Sequence, residues 1–381
     1  VSTLLTLIVN EGNNQNVGST WNVAVAIVST VLAEQKLVIG GDFTQFDGTS
    51  QNRFARIGDD GAIDSGFNSG AGANDTVYDI IPQADGSLIV AGDFILFNGV
   101  NLGRVAKINI DGSVNSSFNP GIGASAGVRS LAAQPNGRVL IGGLFTNFNG
   151  TDINRVARLG TNGALDLSFN VGQGANNTVL AVALQNDKVI VGGEYTLFNN
   201  VPRNFLTRLN ADGAVDPSFN LGSAANDAVR AIAVYTSGPN LGMILVGGDF
   251  GTYDGVSRNR LARLNVDGSL DMTFQDPVIS DSVLAIAIDA SDRVLVGGLF
   301  GNVDGTSRAR IARFNDDGSH DTTFDPGSGA NEFVRSIAVN TDGTILVAGG
   351  FTSFDGVNAN RITRLTDTGS VDPASNFGTG A

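Results

Sequence analysis

At seven places along this 381-residue sequence, a basic residue is followed eight residues later by Asp or Asn. When the seven places are aligned, these residues form two columns, one of bases and one of Asp or Asn. Such columns could form a ring of charges around one ligand, or they could form a cross-strand pair within each repeat. A site for one ligand needs asymmetry, and these columns have little, which favours structural pairs. The bases are Arg56, Lys107, Arg158, Arg208, Arg263, Arg313 and Arg364, and their partners are Asp64, Asn115, Asp166, Asp216, Asp271, Asp321 and Asp372.

A third column consists of Asp or Asn. It lies in a loop that occurs seven times along the sequence, and in nearly every copy the next residue is glycine. Side-chain oxygens of this kind are ligands that Ca²⁺ prefers, and Asp or Asn beside glycine also closes Asx turns. We predict the turn as the main role, with Ca²⁺ binding as the alternative, and no copy has the spacing of an EF-hand. Since longer loops build binding surfaces, this column also supplies the predicted binding residues: Asp47, Asn98, Asn149, Asn199, Asp254, Asp304 and Asp355.

Few residues of this sequence are suited to catalysis. There is no Cys and only one His, His320, which rules out thiolate chemistry and argues against a Ser-His-Asp triad or a multi-histidine metal site. His320 stands where neighbouring copies have Leu270 and Val371, so we interpret it as a substitution in an outer strand. We therefore predict no catalytic residue, no metal and no cofactor. A glycosidase or lyase remains an alternative, because it needs only two suitably separated carboxylates.

The net charge of −14 bears on the partners. Such a surface repels a phosphate backbone, so we expect no nucleic-acid partner. It also disfavours an anionic membrane surface. The longest apolar run near the start, Leu4–Val9, is too short to span a bilayer, so we expect no membrane insertion.

The elements that carry these columns come from a repeat. The phrase "LVIGGDFTQFDG" at Leu37 returns six times in close variants, and the aromatic after its glycines recurs at steps of 51, 51, 50, 55, 50 and 51 residues. We predict that these aromatics are core wedges between repeats. They are Phe43, Phe94, Phe145, Tyr195, Phe250, Phe300 and Phe351.

Each copy has the pattern of four short antiparallel strands joined by Asp-Gly or Asn-Gly turns. The second strand is apolar on both faces, and its paired glycines indicate a bulge or the close approach of a neighbouring backbone. Seven such copies predict an all-β fold, a seven-bladed β-propeller with four antiparallel strands per blade. An open β-solenoid is the competing architecture. The loops containing the Asx column and the glycine-rich crossovers should share one rim, and the short Asp-Gly turns should lie on the opposite one.

Two domains follow from the repeat boundaries: an N-terminal segment, residues 1–20, and a propeller of about 51-residue repeats, residues 21–381. We predict a short extra strand at Thr3–Val9. It would either pair with the exposed edge of a blade and help to latch the ring, or offer that edge to another subunit. Trp21 marks the start of the predicted ring.

The phrases "ILVGGDF", "NRLARLNVDGSLD" and "PGSGAN" resemble the delta-60 repeat, a kelch-like bacterial β-propeller family. The resemblance extends from about Trp21 to Phe377 and implies large, often secreted or surface-attached bacterial proteins, without a reaction. Local departures are Phe205 in an arginine position, and Leu144, Leu299 and Gly350 in the acidic position held by Asp42.

From these observations we expect a non-catalytic scaffold, extracellular or at the cell surface, that mediates macromolecular interaction or assembly. The expected partners are other proteins or surface glycans. A glycan-binding, lectin-like module and the glycosidase or lyase named above are the alternative functions.

Overall fold

The structure is a computed structural model that describes residues 23–28, 36–58 and 61–381. The predicted segment 1–20, its strand at Thr3–Val9 and Trp21 lie outside these residues. All regular structure in the described part is β-strand. No helix there is long and apolar enough to cross a membrane.

Seven blades follow one another, each with a three-stranded antiparallel sheet in chain order. The inner strands are Val23–Val28, Val77–Pro82, Val128–Ala133, Val179–Gln185, Val229–Val234, Val283–Ile288 and Val334–Val339. The middle strands are Lys36–Gly41, Leu88–Gly92, Val139–Gly143, Lys188–Gly193, Ile244–Gly248, Val294–Gly298 and Ile345–Gly349. The outer strands are Phe54–Gly58, Val105–Ile108, Val156–Leu159, Leu206–Leu209, Leu261–Leu264, Ile311–Phe314 and Ile362–Leu365.

Between its middle and outer strands each blade has a two-stranded hairpin, here called the rim hairpin. The strand pairs are Gln45–Phe46 with Thr49–Ser50, Leu96–Phe97 with Val100–Asn101, Asn147–Phe148 with Thr151–Asp152, Leu197–Phe198 with Val201–Pro202, Thr252–Tyr253 with Val256–Ser257, Asn302–Val303 with Thr306–Ser307, and Ser353–Phe354 with Val357–Asn358. We call the face formed by these hairpins and the crossovers between blades the loop rim.

The inner strands contact one another around a closed circle, and the inner strand of blade 7 contacts that of blade 1. The predicted all-β, seven-bladed β-propeller is therefore confirmed. The fourth strand of each blade consists of one bridged residue pair, for example Leu365 with Val371. It is short because Asp372 turns the chain at once, its Oδ1 accepting the Ala374 N–H at 2.9 Å.

The paired glycines of the middle strand face two different obstacles. A methyl group on Gly298 would collide with the carbonyl oxygen of Ser282, next to a bulge in the inner strand of the same blade. A methyl group on Gly297 would meet the side chains of Val334 and Ile337 from the next blade. Both predicted reasons for these glycines therefore apply, one to each position. The second obstacle is softer, because two copies have Ala91 and Ala348 in place of the first glycine.

The hydrophobic core lies between blades as well as within them. One cluster of buried side chains contains Phe43 and Ile39 of blade 1 together with Val334 and Phe351 of blade 7. The seven aromatic anchors are all buried, with at most 3% of their surface exposed. Each blade therefore covers an apolar face of its neighbour, as expected of repeats that cannot bury that face alone.

One buried carboxylate, that of Asp79, interrupts this apolar packing. Its oxygens accept hydrogen bonds from the Ile80 N–H at 2.8 Å and from the Leu131 N–H of the next blade at 2.7 Å. Ser130 is the corresponding residue in blade 3, and its hydroxyl oxygen accepts the Val182 N–H at 3.0 Å. Burial raises the pKa of Asp79 well above its ordinary value, although the two backbone hydrogen bonds oppose the rise.

Within the described residues, blades 7 and 1 are joined by backbone and side-chain hydrogen bonds. The Thr379 N–H donates to Asp47 Oδ1 at 2.9 Å, and the Asp47 N–H donates to the Gly380 carbonyl at 2.8 Å. Phe377 packs against the core cluster shared by blades 7 and 1. These last residues occupy the place on blade 1 that crossovers occupy on the other blades.

Candidate functional site: the loop rim

The predicted binding column lies at the tips of the rim hairpins, one residue per blade. All seven residues have left-handed backbone angles, with φ between 46° and 50°. Asn and Asp tolerate this conformation better than other side chains do. Their positions around the ring place them in seven separate hairpins, so the structure does not bring them together into one site.

Each member of this column fastens its hairpin to the crossover that enters the same blade. In blade 2, Asn98 Oδ1 accepts the Ala71 N–H at 3.0 Å, and the Asn98 N–H donates to the Gly72 carbonyl at 2.7 Å. In blade 7, Asp355 Oδ1 accepts the Ser328 N–H at 2.8 Å. We call this arrangement the rim clasp. The rim clasp keeps the hairpin loops and the crossovers together on one rim, as the sequence predicts.

The clasp uses one side-chain oxygen and leaves the second polar atom of the group for solvent or a ligand. That atom differs around the ring, because blades 2 to 4 have Asn98, Asn149 and Asn199, whereas the other blades have Asp. One part of the rim therefore presents amide N–H groups and the other part presents carboxylates. Within the described residues, no group of three or more His, Cys, Asp or Glu side chains could hold a metal ion.

The base and acid columns form the predicted cross-strand pairs in six blades, and they also connect blades. In blade 2 the predicted pair of Lys107 with Asn115 does not form, because Asn115 donates to Asn109 Oδ1 instead. Arg313 Nε donates to Asp321 Oδ2 at 2.7 Å, and Arg313 Nη1 donates to the Asp367 carbonyl of blade 7 at 2.6 Å. The guanidinium carbon lies 4.9 Å from the ring centroid of Phe324. Burial would raise the pKa of Asp321, but hydrogen bonds from Thr323 and Arg313 outweigh it and hold that pKa below its ordinary value.

Five blades repeat this link to the next blade. The carbonyls that accept from Nη1 belong to Ile110, Ala211, Val266, Asp316 and Asp367, at 2.5 to 2.7 Å. Blade 2 differs, since Lys107 donates instead to Asp85 of its own blade at 2.9 Å. The side chains of these two columns are therefore used in bonds that hold the ring together. The loop rim remains as the candidate site.

His320 lies in the outermost segment of blade 6, in a bridge with Phe314. Burial lowers the pKa of His320, and the neighbouring Arg308 lowers it further, which favours the neutral imidazole. Its ring centroid lies 6.1 Å from that of Phe314, as in packing contacts between aromatic rings.

Two carboxylates at this end of blade 1, Asp42 and Asp75, influence each other electrostatically. Burial raises the pKa of Asp42, Arg53 opposes the rise, and the Asp75 carboxylate adds to it. Arg53 Nε lies 3.5 Å from Asp42 Oδ1, and the Asp75 carboxylate accepts the Thr76 N–H at 2.8 Å. The two acids come from blade 1 and from the crossover into blade 2.

The rim of blade 2 is the most distinctive part of the ring. Its side chains Ile95, Leu96 and Val100, and Ile122 in the following crossover, are 46%, 36%, 45% and 67% exposed. The corresponding residues on blade 3 and its crossover are Thr146, Asn147, Thr151 and Gln173. The fold therefore does not require aliphatic residues here. We call Ile95, Leu96, Val100 and Ile122 the blade-2 patch.

The polar columns follow the repeat and give no indication of this patch. The available signal was a departure from the repeat, since Ile95 stands where the other six copies have Thr or Gly. The crossover that carries Ile122 passes directly over Gly103, two residues after the hairpin, where a methyl group would collide with the Ile122 carbonyl.

A known family describes the same seven units. The sequence profile of a family described as "Domain of unknown function (DUF5122) beta-propeller" matches residues 36–67, 83–118, 134–169, 184–219, 242–274, 290–324 and 341–374. The chain belongs to this DUF5122 β-propeller family. The expected membership of a family of β-propeller repeats is thereby confirmed.

Each DUF5122 match begins at or just before a middle strand and, in the first six repeats, ends at the phenylalanine three residues after the Asp or Asn of the acid column. The rim hairpin lies inside the match, whereas the crossovers and most of the inner strands lie between matches. Ile122 and Asp79 therefore belong to the part of this chain that the DUF5122 repeat does not describe.

Two solved structures are similar to this DUF5122 protein at low identity. A gluconolactonase from Xanthomonas campestris has a TM-score of 0.41 and 13% identity, over 92% of this chain and 96% of that chain. The WD40 domain of Neurospora crassa Pan2 has a TM-score of 0.40 and 8% identity, over 82% and 81%. Similarities this low do not indicate a function. No curated protein matches the sequence.

Proposed function

We propose that this propeller is a non-catalytic scaffold that binds or assembles other macromolecules through its loop rim. The observation that carries the proposal is the division of a rigid rim into chemically different parts. Every hairpin is fastened by the same clasp, but blade 2 presents aliphatic side chains and the rims of blades 1, 5, 6 and 7 present carboxylates. Rigid loops lose little entropy on binding, so a partner is met by a preorganised surface.

We further propose that the protein acts outside the cell or at the cell surface of a bacterium. The resemblance to delta-60 repeats supports this placement. The absence of Cys from the sequence is compatible with a location inside or outside the cell.

The test uses the full chain as bait in extracts of its native cells after mild chemical cross-linking. A rim variant, Leu96→Asn with Val100→Thr, carries the residues of blade 3 and should lose the captured protein. A matched control, Leu167→Ser, changes an exposed aliphatic residue beyond an outer strand, away from the rim hairpins, and should retain it. Binding through the rim would be refuted if the rim variant and the control captured equal amounts of the partner protein, or if only the control failed to capture it.

The glycan-binding alternative has a sharper probe because the clasp can be preserved. Asn98→Asp keeps the oxygen that accepts the Ala71 N–H and replaces only the outward amide by a carboxylate oxygen. A lectin that uses the amide would bind an array of neutral and acidic glycans and lose that signal in the variant. A blank array with the unmodified protein would count against this alternative.

The enzyme alternative depends on Asp42 and Asp75. Hydrolysis or elimination of a polysaccharide that disappears in Asp42→Asn, with the fold intact by circular dichroism, would favour it over a scaffold.

A further inference from the structure

We propose that the blade-2 patch is a homotypic contact at which two copies of this chain associate weakly. The inference rests on the proposed function and names a second copy of the chain as the partner. The patch joins the rim hairpin of blade 2 to the crossover that leaves it, and its four aliphatic side chains are 36% to 67% exposed.

Both segments that form the patch lack charge. The sequence has no charged residue from Phe94 to Gly103 or from Phe118 to Gly127. The corresponding ten-residue stretches of the other six copies, which begin at the aromatic anchor, each contain one or more charged residues, among them Asp47, Asp152 and Arg203. The clasps on either side of the patch use Asn98 and Asn149, which are also neutral.

Net charge restricts where a second copy can approach. Each copy has a net charge of −14, so two copies repel each other wherever carboxylates dominate the surface. They can approach most easily where a stretch of the rim is both uncharged and apolar. In a two-fold contact the same patch faces itself, which pairs aliphatic side chains with aliphatic side chains without any further complementarity.

The size of the patch limits its strength. Stable interfaces bury about 800 Å² on each partner and involve about 20 to 30 residues a side. Four exposed aliphatic side chains supply only the centre of such a contact. We therefore expect a dimer that forms at high micromolar concentration, in exchange with monomer, rather than a permanent assembly.

Salt gives this contact a distinctive signature. An interface held by ion pairs weakens as salt is added, because the pairs are screened. Here the long-range force between copies is repulsive and the local force is hydrophobic. Raising the ionic strength from about 0.01 M to about 0.15 M shortens the Debye length from about 30 Å to about 8 Å and should strengthen the dimer.

The experiment is sedimentation equilibrium of the full chain over a concentration series at both salt levels. The unmodified protein should dimerise more tightly at the higher salt. The double variant Ile95→Thr with Ile122→Gln introduces residues that the chain already uses on blade 3 and its crossover, and it should weaken dimerisation at least about tenfold. The control, Val278→Ser with Val357→Thr, changes exposed aliphatic residues at charged parts of the rim and should leave dimerisation unchanged.

Three results would overturn the proposal: a protein that stays monomeric at every concentration, a dimer that salt weakens, or a dimer that both variants weaken equally. Circular dichroism of both variants checks that the fold is retained. A monomeric protein that still captures a partner through the rim would refute this contact and leave the proposed function standing.

Discussion

The link formed by Arg313 makes a prediction that a double-mutant cycle can test. Arg313 is 2% exposed and contacts four groups: the Asp321 carboxylate of its own blade, the carbonyl and the carboxylate of Asp367 in the next blade, and the Phe324 ring. Removing one partner of a buried ion pair costs about 3–5 kcal/mol, because the other partner remains buried. We expect Arg313→Ala to lower the free energy of unfolding by this amount.

Asp321→Ala should cost less than Arg313→Ala, because it removes fewer contacts. The carboxylate loses its bond from Arg313, together with bonds from the Thr323 N–H and hydroxyl at 2.9 and 2.6 Å that lie within one turn. Arg313 would keep its bond to blade 7 and its contact with Phe324. The double variant should therefore cost less than the sum of the single variants, by a coupling energy of about 1–3 kcal/mol.

The assay is equilibrium unfolding in urea, followed by far-ultraviolet circular dichroism. Lys107→Ala is the internal control, since Lys107 has no carbonyl partner in the next blade and pairs with a largely exposed Asp85. Exposed pairs contribute about 0–1 kcal/mol, so this variant should be nearly neutral. Additive single effects, to within about 0.5 kcal/mol, would refute the coupling, as would an equal loss in Lys107→Ala.

The same pair has a pH signature with a defined sign. The pKa of Asp321 is lowered in the folded protein, so its contribution to stability is present above the unfolded pKa of about 3.9. That contribution is lost as the pH falls through the folded pKa. The difference in stability between the unmodified protein and Asp321→Ala should therefore shrink under acid, and a difference that grows there would contradict the assignment.

Three further perturbations test the ring at other positions. Asp79→Ser introduces the residue of blade 3; because the pKa of Asp79 is raised in the fold, its penalty grows above the unfolded pKa of about 3.9, so the variant should gain urea resistance relative to the unmodified protein between about pH 4 and pH 7, and a constant difference would refute this. Gly298→Ala should unfold at markedly lower urea than Gly297→Ala, because the first collides with a backbone carbonyl and the second with side chains that two other blades accommodate; equal midpoints would show that the bulge does not constrain the middle strand. Asp47→Ala removes the clasp where the ring closes and should speed amide exchange there before it lowers global stability, whereas uniform exchange would contradict a local role.

Some of these features could be predicted from the sequence because they follow the repeat. The fixed offset between Arg313 and Asp321 places them on neighbouring segments, so a cross-strand pair is the simple expectation. The bond from Arg313 to blade 7 could not be predicted in the same way. It joins residues 54 positions apart, and that contact exists only after the ring has formed.

The fourth strand of each blade is shorter than the sequence pattern predicts. The segment after each Asp-Gly turn has the alternation of a strand, but only one residue pair bridges to the outer strand, as in Phe314 with His320. The acid that pairs with the base also accepts the N–H two residues later, and this local bond competes with further strand pairing.

The candidate site was harder to predict, because a repeat pattern identifies the residues that all copies share and not those that distinguish one copy. The Asx column was predicted as turns and binding residues, and its spacing gives no sign that Asn98 fastens a crossover 27 residues earlier. The blade-2 patch consists of exceptions to the repeat. Its significance depends on exposure and on missing charge, and only the second of these can be read from the sequence.

The closure of the ring by Thr379 and Asp47 has a consequence for how such molecules can change in size. In the described part of the chain each blade's sheet takes its strands from consecutive segments, and blades 7 and 1 meet through the same kind of bond that joins any two neighbours. A gene could thus gain or lose one complete unit by duplication or deletion, and no strand would have to find a new partner. Evolution could vary the circumference of the disc in whole units while leaving the joints unchanged.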